Sequence, residues 1–178
     1  VYARTGGILL PLRAPERQQY RVTELRRWCT RLGVHVNASP KFMCPDAALA
    51  SRIVIAASAS ASASANASAD ASADANTSVE AHDVVALYKA ILRAEWCEEK
   101  DISDAATLAG IVADCGLDAQ ALMRDAGTDE VARTYAGFTD RAVAAGVFGS
   151  PSGVHRGELF WGQDRLDFLE EAVSATLD

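Results

Sequence analysis

Helical patterning runs through most of this 178-residue chain and stops abruptly at Gly146, where a short segment of different chemistry takes over. Gly146-Val147-Phe148-Gly149-Ser150-Pro151 reads as a compact turn. Ser152 to His155 and Leu159 to Trp161 then flank Arg156-Gly157-Glu158, the sequence form of a β-hairpin with glycine at its turn. Gly162-Gln163-Asp164 opens a last helix with Leu166, Phe168, Leu169 and Val173 on one face. A helical body followed by proline, hairpin and helix leaves few architectures open. The length fits one domain, or one domain with an elaboration.

Residues 1–14 are irregular, with Gly6-Gly7 as a breaker and the apolar run Ile8 to Leu12 cut by Pro11. A helix is expected from Pro15, with Glu16 at its positive end, a stripe through Val22, Leu25, Trp28 and Leu32, and Gly33 as its stop. Val34-His35-Val36 reads as short and extended. Ser39-Pro40 and Cys44-Pro45 mark a loop before a second helix, with Asp46 near its start and Leu49, Ile53 and Val54 inside. After Ser78 the pattern is helical again. Val84, Val85, Leu87, Tyr88, Ile91, Leu92 and Trp96 make a broad apolar face expected to be buried. A short helix with Leu108, Ile111 and Val112 closes at Gly116, Asp118 is suited to cap the next, and Thr128 opens a longer one ending near Ala145.

Between Ala57 and Ala75 alanine alternates with Ser, Asn or Asp. Period-two patterning usually means a strand, but these residues are poor strand formers with little to bury. A low-complexity linker over 57–78 is the expectation, weighed against an alanine-driven helix.

Hydrophobic residues make up 49% of the chain, much of it alanine, yet enough large apolar side chains remain for a core. A net charge of −7, with a pI near 4.9, argues against nucleic acid as a partner. The basic run Arg21 to Arg31 alternates with apolar residues at helical spacing and reads as a solvated helix face. Cys29, Cys44, Cys97 and Cys115 form no C-x-x-C and no zinc-ligand spacing, so no metal is expected. Free, mostly buried thiols in the cytoplasm or an organelle matrix are the expectation. Neither a signal peptide nor an apolar run of membrane-spanning length is read, so no membrane partner is expected. The chain starts at Val1 rather than methionine, and is expected to begin within a longer protein.

The stretch Gly146 to Pro151, followed by Gly157-Glu158-Leu159-Phe160-Trp161-Gly162-Gln163-Asp164-Arg165-Leu166-Asp167-Phe168, resembles the C-terminal signature of 2-hydroxychromene-2-carboxylate isomerases. These are relatives of kappa-class glutathione transferases and DsbA-type thioredoxin domains. Weaker similarity runs through Arg17 to Arg21, Glu24 to Trp28 and Asp46 to Ala50. The resemblance implies an α/β class, a thioredoxin-like fold with an inserted helical domain, predominantly helical in this chain and truncated at its N-terminus. The helical insertion with its preceding loop is drawn as 1–145, and the hairpin with the last helix as 146–178.

By the same resemblance, the family's activity is glutathione-dependent isomerisation of hydroxychromene-carboxylate-like aromatic compounds. The implied cofactor is glutathione and the implied partner a small aromatic substrate, with a homodimer left open. Ser150-Pro151 matches the cis-proline corner that pairs with the cysteinyl unit, the alternative being an ordinary trans proline. Gln163 and Asp164 match the turn that receives the γ-glutamyl end, although Asp164 serves equally as a helix cap. Arg17 falls where the family carries a basic residue near the glycyl carboxylate, or else faces solvent. No catalytic residue is assigned, because the family's opening β-α-β segment and its serine are not among these residues. Gly153 and Arg156 stand where the family is usually aromatic and acidic, and residues 1–14 lack an asparagine that often helps hold the tripeptide. Phe160 and Trp161 read as core, His35, His82 and His155 as structural, and Cys44 as buried or as a thiol at a helix start. Two other readings stand beside the isomerase. One is a non-catalytic ligand- or partner-binding remnant. The other is a DsbA-like thiol–disulfide oxidoreductase or kappa-type glutathione transferase.

Overall fold

The computed structural model describes residues 1–67 and 79–176. In these residues the chain forms α1 (Pro15–Leu32), α2 (Ala48–Ala67), α3 (Ala81–Cys97), α4 (Ala105–Asp114), α5 (Ala119–Ala126), α6 (Asp129–Ala144), β1 (Ser152–His155), β2 (Glu158–Trp161) and α7 (Leu166–Ser174). Single 3-10 turns precede α1 at Tyr2–Arg4 and Leu10–Leu12, and another, Gln163–Arg165, leads into α7. Two compact units result: Gln19–Tyr135, and Val1–Gln18 together with Ala136–Asp178. The sequence reading drew a single boundary between 145 and 146.

In the unit Gln19–Tyr135 the core forms where α2 packs on α3 and α5, and α4 packs on both α3 and α5. Ile53, Leu87, Leu108 and Val112 are fully enclosed, with Ala50, Ala56 and Ala57 facing inward beside them. The broad face expected on α3 is narrower than its sequence suggests. Leu87, Ile91 and Ala94 are buried, whereas Val85, Tyr88 and Leu92 are exposed. The α1 stripe also stops short, since Val22, Leu25 and Trp28 are half-buried and Leu32 is exposed.

The linker expected from Ala57 is corrected by the helix, which continues to Ala67. Alanine pays no side-chain entropy in a helix, and this outweighs the period-two pattern. The serines are accommodated by bonding back one turn: Ser58 Oγ donates to Val54 O at 2.9 Å and Ser62 Oγ to Ser58 O at 3.0 Å. The rest of the expected linker, 68–78, lies outside the described residues. By length and composition alone α2 is apolar enough to cross a membrane, with a mean hydropathy of 1.3 over Ala48–Ala65, contrary to the sequence expectation. Its buried face is nevertheless spent on the core of this unit.

Caps set the other boundaries. The Asp104 carboxylate accepts from Thr107 N at 2.7 Å to start α4, and Asp118 accepts from Ala121 N at 2.9 Å to start α5, as expected. The Thr107 N–H and hydroxyl, both donating to it, hold the Asp104 carboxyl below its usual range. The end of α3 gathers the loop before α2. Trp96 O accepts from Asn37 N at 2.8 Å, Cys97 Sγ donates to His35 O at 3.1 Å, and the Glu99 carboxylate accepts from Asn37 Nδ2 and Lys41 N. Val34-His35-Val36 therefore runs as loop rather than strand. Cys44 is exposed, with φ 55°, and lies ahead of the α2 start rather than on it; its N–H is committed to the Glu95 carboxylate. Cys29, Cys97 and Cys115 are half-buried, so the expectation of buried thiols holds in part. Burial pushes the Cys115 thiol upward, and neighbouring Asp114 and Asp83 add to this.

Two predictions concern this unit. Leu87→Ala leaves a cavity among fully enclosed neighbours and is expected to cost about 2–5 kcal/mol in chemical denaturation. Glu95 is buried, and loss of water raises its carboxyl above the usual glutamate range, with the Cys44 N–H opposing. A raised acid holds its proton more tightly when folded. Its contribution to stability is therefore full below the ordinary glutamate pKa and is lost as pH rises through the folded value. Glu95→Gln keeps an acceptor for Cys44 and removes the titration. The denaturation midpoint of the variant should depend less on pH from about pH 4 upward.

Candidate functional site

The unit formed by 1–18 and 136–178 is built around the hairpin. β1 and β2 pair antiparallel with Ser152 opposite Trp161 and His155 opposite Glu158, and the turn places Arg156 and Gly157 at φ 50° and 86°. A left-handed pair is the geometry that a two-residue hairpin turn requires, and glycine supplies half of it without strain. Behind the hairpin lies α7. Leu169 fills the space over Gly153, where a Cβ would stand 2.6 Å from Leu169 Cδ2.

Ahead of β1 the Ser150–Pro151 peptide bond is cis. Pro151 O accepts from Gly162 N at 3.0 Å, which ties the turn after β2 to the proline corner. Ser152 Oγ donates to Gly149 O at 2.7 Å and closes the turn from the other side. The Trp161 indole lies across Gly149, where a Cβ would come within 2.5 Å of Nε1, and meets the Phe148 ring at 4.8 Å between centroids, tilted by 59°. Only glycine at 149 leaves room for the indole in this position.

Against this corner stands the irregular N-terminal segment. Arg13 Nε donates to Ile8 O at 2.9 Å and its Nη2 to Tyr2 Oη at 2.5 Å, so one side chain holds the loop 2–13 in shape. Gln18 Nε2 donates to Arg13 O at 2.7 Å and fastens that loop to the first turns of α1. Arg4 pairs with Asp140 at 2.5 Å on the exposed surface of the same unit. Between segment and corner opens a cavity of about 640 Å³, whose walls include Tyr2, Arg13, Arg17, Phe148, Ser150 and Trp161. No carboxylate lines it among the described residues. Such walls suit an anionic ligand with an apolar or aromatic part.

Of the residues expected from the sequence, the cavity brings together Arg17 and Ser150. Pro151 adjoins Ser150 without lining the cavity, and Gln163 and Asp164 lie outside it as well. Gln163 and Asp164 sit in the 3-10 turn ahead of α7, where the Asp164 side chain folds over Gly162 and pairs with Arg165 at 3.1 Å. Asp164 does not serve as the side-chain cap of that turn. Tyr2 and Arg13 were not singled out from sequence, because they stand eleven positions apart in an aperiodic loop. Trp161 was read as core and is 52% exposed, its indole facing the cavity rather than a packed interior. A second groove, between β2 and α7, carries Glu158 and Glu171 against Arg165 and has mixed charge.

A 2-hydroxychromene-2-carboxylate isomerase of Sphingobium xenophagum is 30% identical over 152 residues, 84% of this chain. The chain spans 64% of the length of that relative. A solved structure of a 2-hydroxychromene-2-carboxylate isomerase superposes with a TM-score of 0.71 at 21% identity, covering 99% of this chain and 75% of the other, which is a likeness of fold. The family model of the DSBA-like thioredoxin domain matches residues 3–174. A mostly helical chain closed by a proline corner, a hairpin and a helix, and matched over nearly all its length, belongs to the DSBA-like thioredoxin domain family.

Proposed function

We propose that this chain carries the ligand-binding part of a glutathione-dependent isomerase acting on hydroxychromene-carboxylate-like aromatic compounds. The observation that carries the reading is the single cavity in which the Arg17 guanidinium, Ser150 beside the proline corner and the Trp161 and Phe148 rings are lining or adjoining walls, with no carboxylate between them. The sequence relationship to a 2-hydroxychromene-2-carboxylate isomerase supports it.

Glutathione has two carboxylates and one ammonium, and the residues present fit it. Arg17 has no ion pair or side-chain hydrogen bond among the described residues, so its five donors are available to the glycyl carboxylate. Ser150 offers backbone groups to the cysteinyl unit, as a strand edge does for an extended peptide. The Gly162–Asp164 turn, held to Pro151, flanks that end and offers Asp164 to the ammonium. When bound, the tripeptide supplies a thiol nucleophile that adds to a conjugated acceptor and leaves unchanged. The chain orients it and presents aromatic walls to the acceptor.

Calorimetric titration of reduced glutathione into the full chain tests the reading. Saturable binding is expected. Arg17→Gln should weaken it about tenfold, with no change in melting temperature because the side chain is exposed and unpaired. Asp164→Ala should weaken binding by a similar factor, about tenfold. Absence of saturable heat from the folded chain would refute the glutathione assignment. Full affinity in the Asp164 variant would confine the tripeptide to the cavity.

A further inference from the structure

We infer that Arg13 is the specificity-determining residue of this cavity. It anchors the carboxylate of the aromatic compound that meets glutathione there, an inference that rests on the glutathione reading of the site. Two arginine charges in this unit are already matched by carboxylates. Arg4 pairs with Asp140, and Arg165 with Asp164. Arg13 differs: it is half-buried, and its two bonded N–H groups go to neutral acceptors, Ile8 O and Tyr2 Oη. No carboxylate compensates it among the described residues, and it lines the cavity.

A guanidinium has five N–H donors, so three remain after these two bonds. The two bonds fix its plane before any ligand arrives, which removes much of the ordering cost of binding. A fixed, uncompensated guanidinium on a cavity wall is matched best by a carboxylate, which takes two parallel N–H bonds. In the glutathione reading, Arg17 serves one end of the tripeptide and the Gly162–Asp164 turn the other. Arg13 is then left for the second reactant. The Phe148 and Trp161 rings on the opposite corner offer that reactant an aromatic surface. The selected compound is therefore an arene bearing a carboxylate, and the neutral analogue of the same shape is rejected.

The test needs no turnover. 2-Hydroxybenzoate and 2-hydroxybenzamide are titrated by calorimetry into the full chain, with and without saturating reduced glutathione. The acid is expected to bind at least about tenfold more tightly than the amide. Arg13→Gln should remove that preference while leaving the amide and glutathione affinities unchanged, and Arg13→Lys should restore part of it. Tyr2→Phe keeps the charge and removes one brace, so the preference for the acid should survive. Equal binding of acid and amide by the unaltered chain would overturn the inference. So would an Arg13→Gln variant that loses glutathione as strongly as the acid, since Arg13 would then belong to the tripeptide. If Tyr2→Phe alone reproduced the Arg13→Gln loss, the role would be loop shape, and the inference would fail. Preference for the acid without any glutathione binding would remove the glutathione reading and leave the role of Arg13 standing.

Discussion

The close approach of α2 to α3 and α5 is the constraint on which the described interior depends. Alanines at 50, 56 and 57 put little more than a methyl group between helix backbones, and Ile53, Leu87, Leu108 and Val112 fill what remains. Every described residue that is buried lies between Pro40 and Val131. The unit carrying the cavity has none. Its shape is set instead by short-range devices: a hairpin turn, a cis proline corner, an indole seated on a glycine and an arginine that spans its own loop. Such contacts define local geometry with little buried area behind them, and regions of this kind sit toward the low end of local stability. A ligand that bridges the loop 2–13 and the proline corner would add binding energy where buried area is scarce.

Charge follows the same division of labour. The chain carries a net −7, yet the cavity presents two guanidiniums and no carboxylate among the described residues. Elsewhere some arginines are neutralised close at hand, as with Arg93 and Glu98 at the end of α3 or Arg124 and Asp125 at the end of α5. A cationic concavity in an acidic chain concentrates small anions that the remaining surface repels. Exposed ion pairs are worth little to stability. Leaving Arg13 and Arg17 unpaired therefore sacrifices little folding free energy and keeps both available to a ligand.

Much of the fold was legible in the sequence because its signals are local. Pro15 and Gly33 bracket α1, Asp118 caps α5, and Arg156-Gly157 turns the hairpin, each by a mechanism confined to a few residues. The failures occurred where tertiary context decides. Alternating Ala and Ser carry a strand period, but alanine's helix propensity and the serine back-bonds carry α2 on to Ala67. Val85, Tyr88 and Leu92 match the apolar period of α3 yet stay exposed, since periodicity reports a face and not whether a neighbour covers it. At the site, Arg17 and Ser150 were legible through resemblance alone. Arg13 and Tyr2 were not, because a contact across an aperiodic loop leaves no spacing to read.

One departure from the family pattern finds its reason in packing. Glycine at 153, in the middle of β1 and opposite Phe160, ought to weaken the strand. Leu169 of α7 occupies the volume that a side chain there would need. An aromatic residue at 153 and a leucine at 169 are thus mutually exclusive in this arrangement, and the hairpin is covered from the helix side. Glycine at 149 makes the same exchange with Trp161, with a different result. At 153 the borrowed space goes to packing between helix and hairpin. At 149 it lets the indole turn toward Phe148 and become a wall of the cavity. Two glycines within five residues of one another therefore decide which large side chains support this unit and which one meets the ligand.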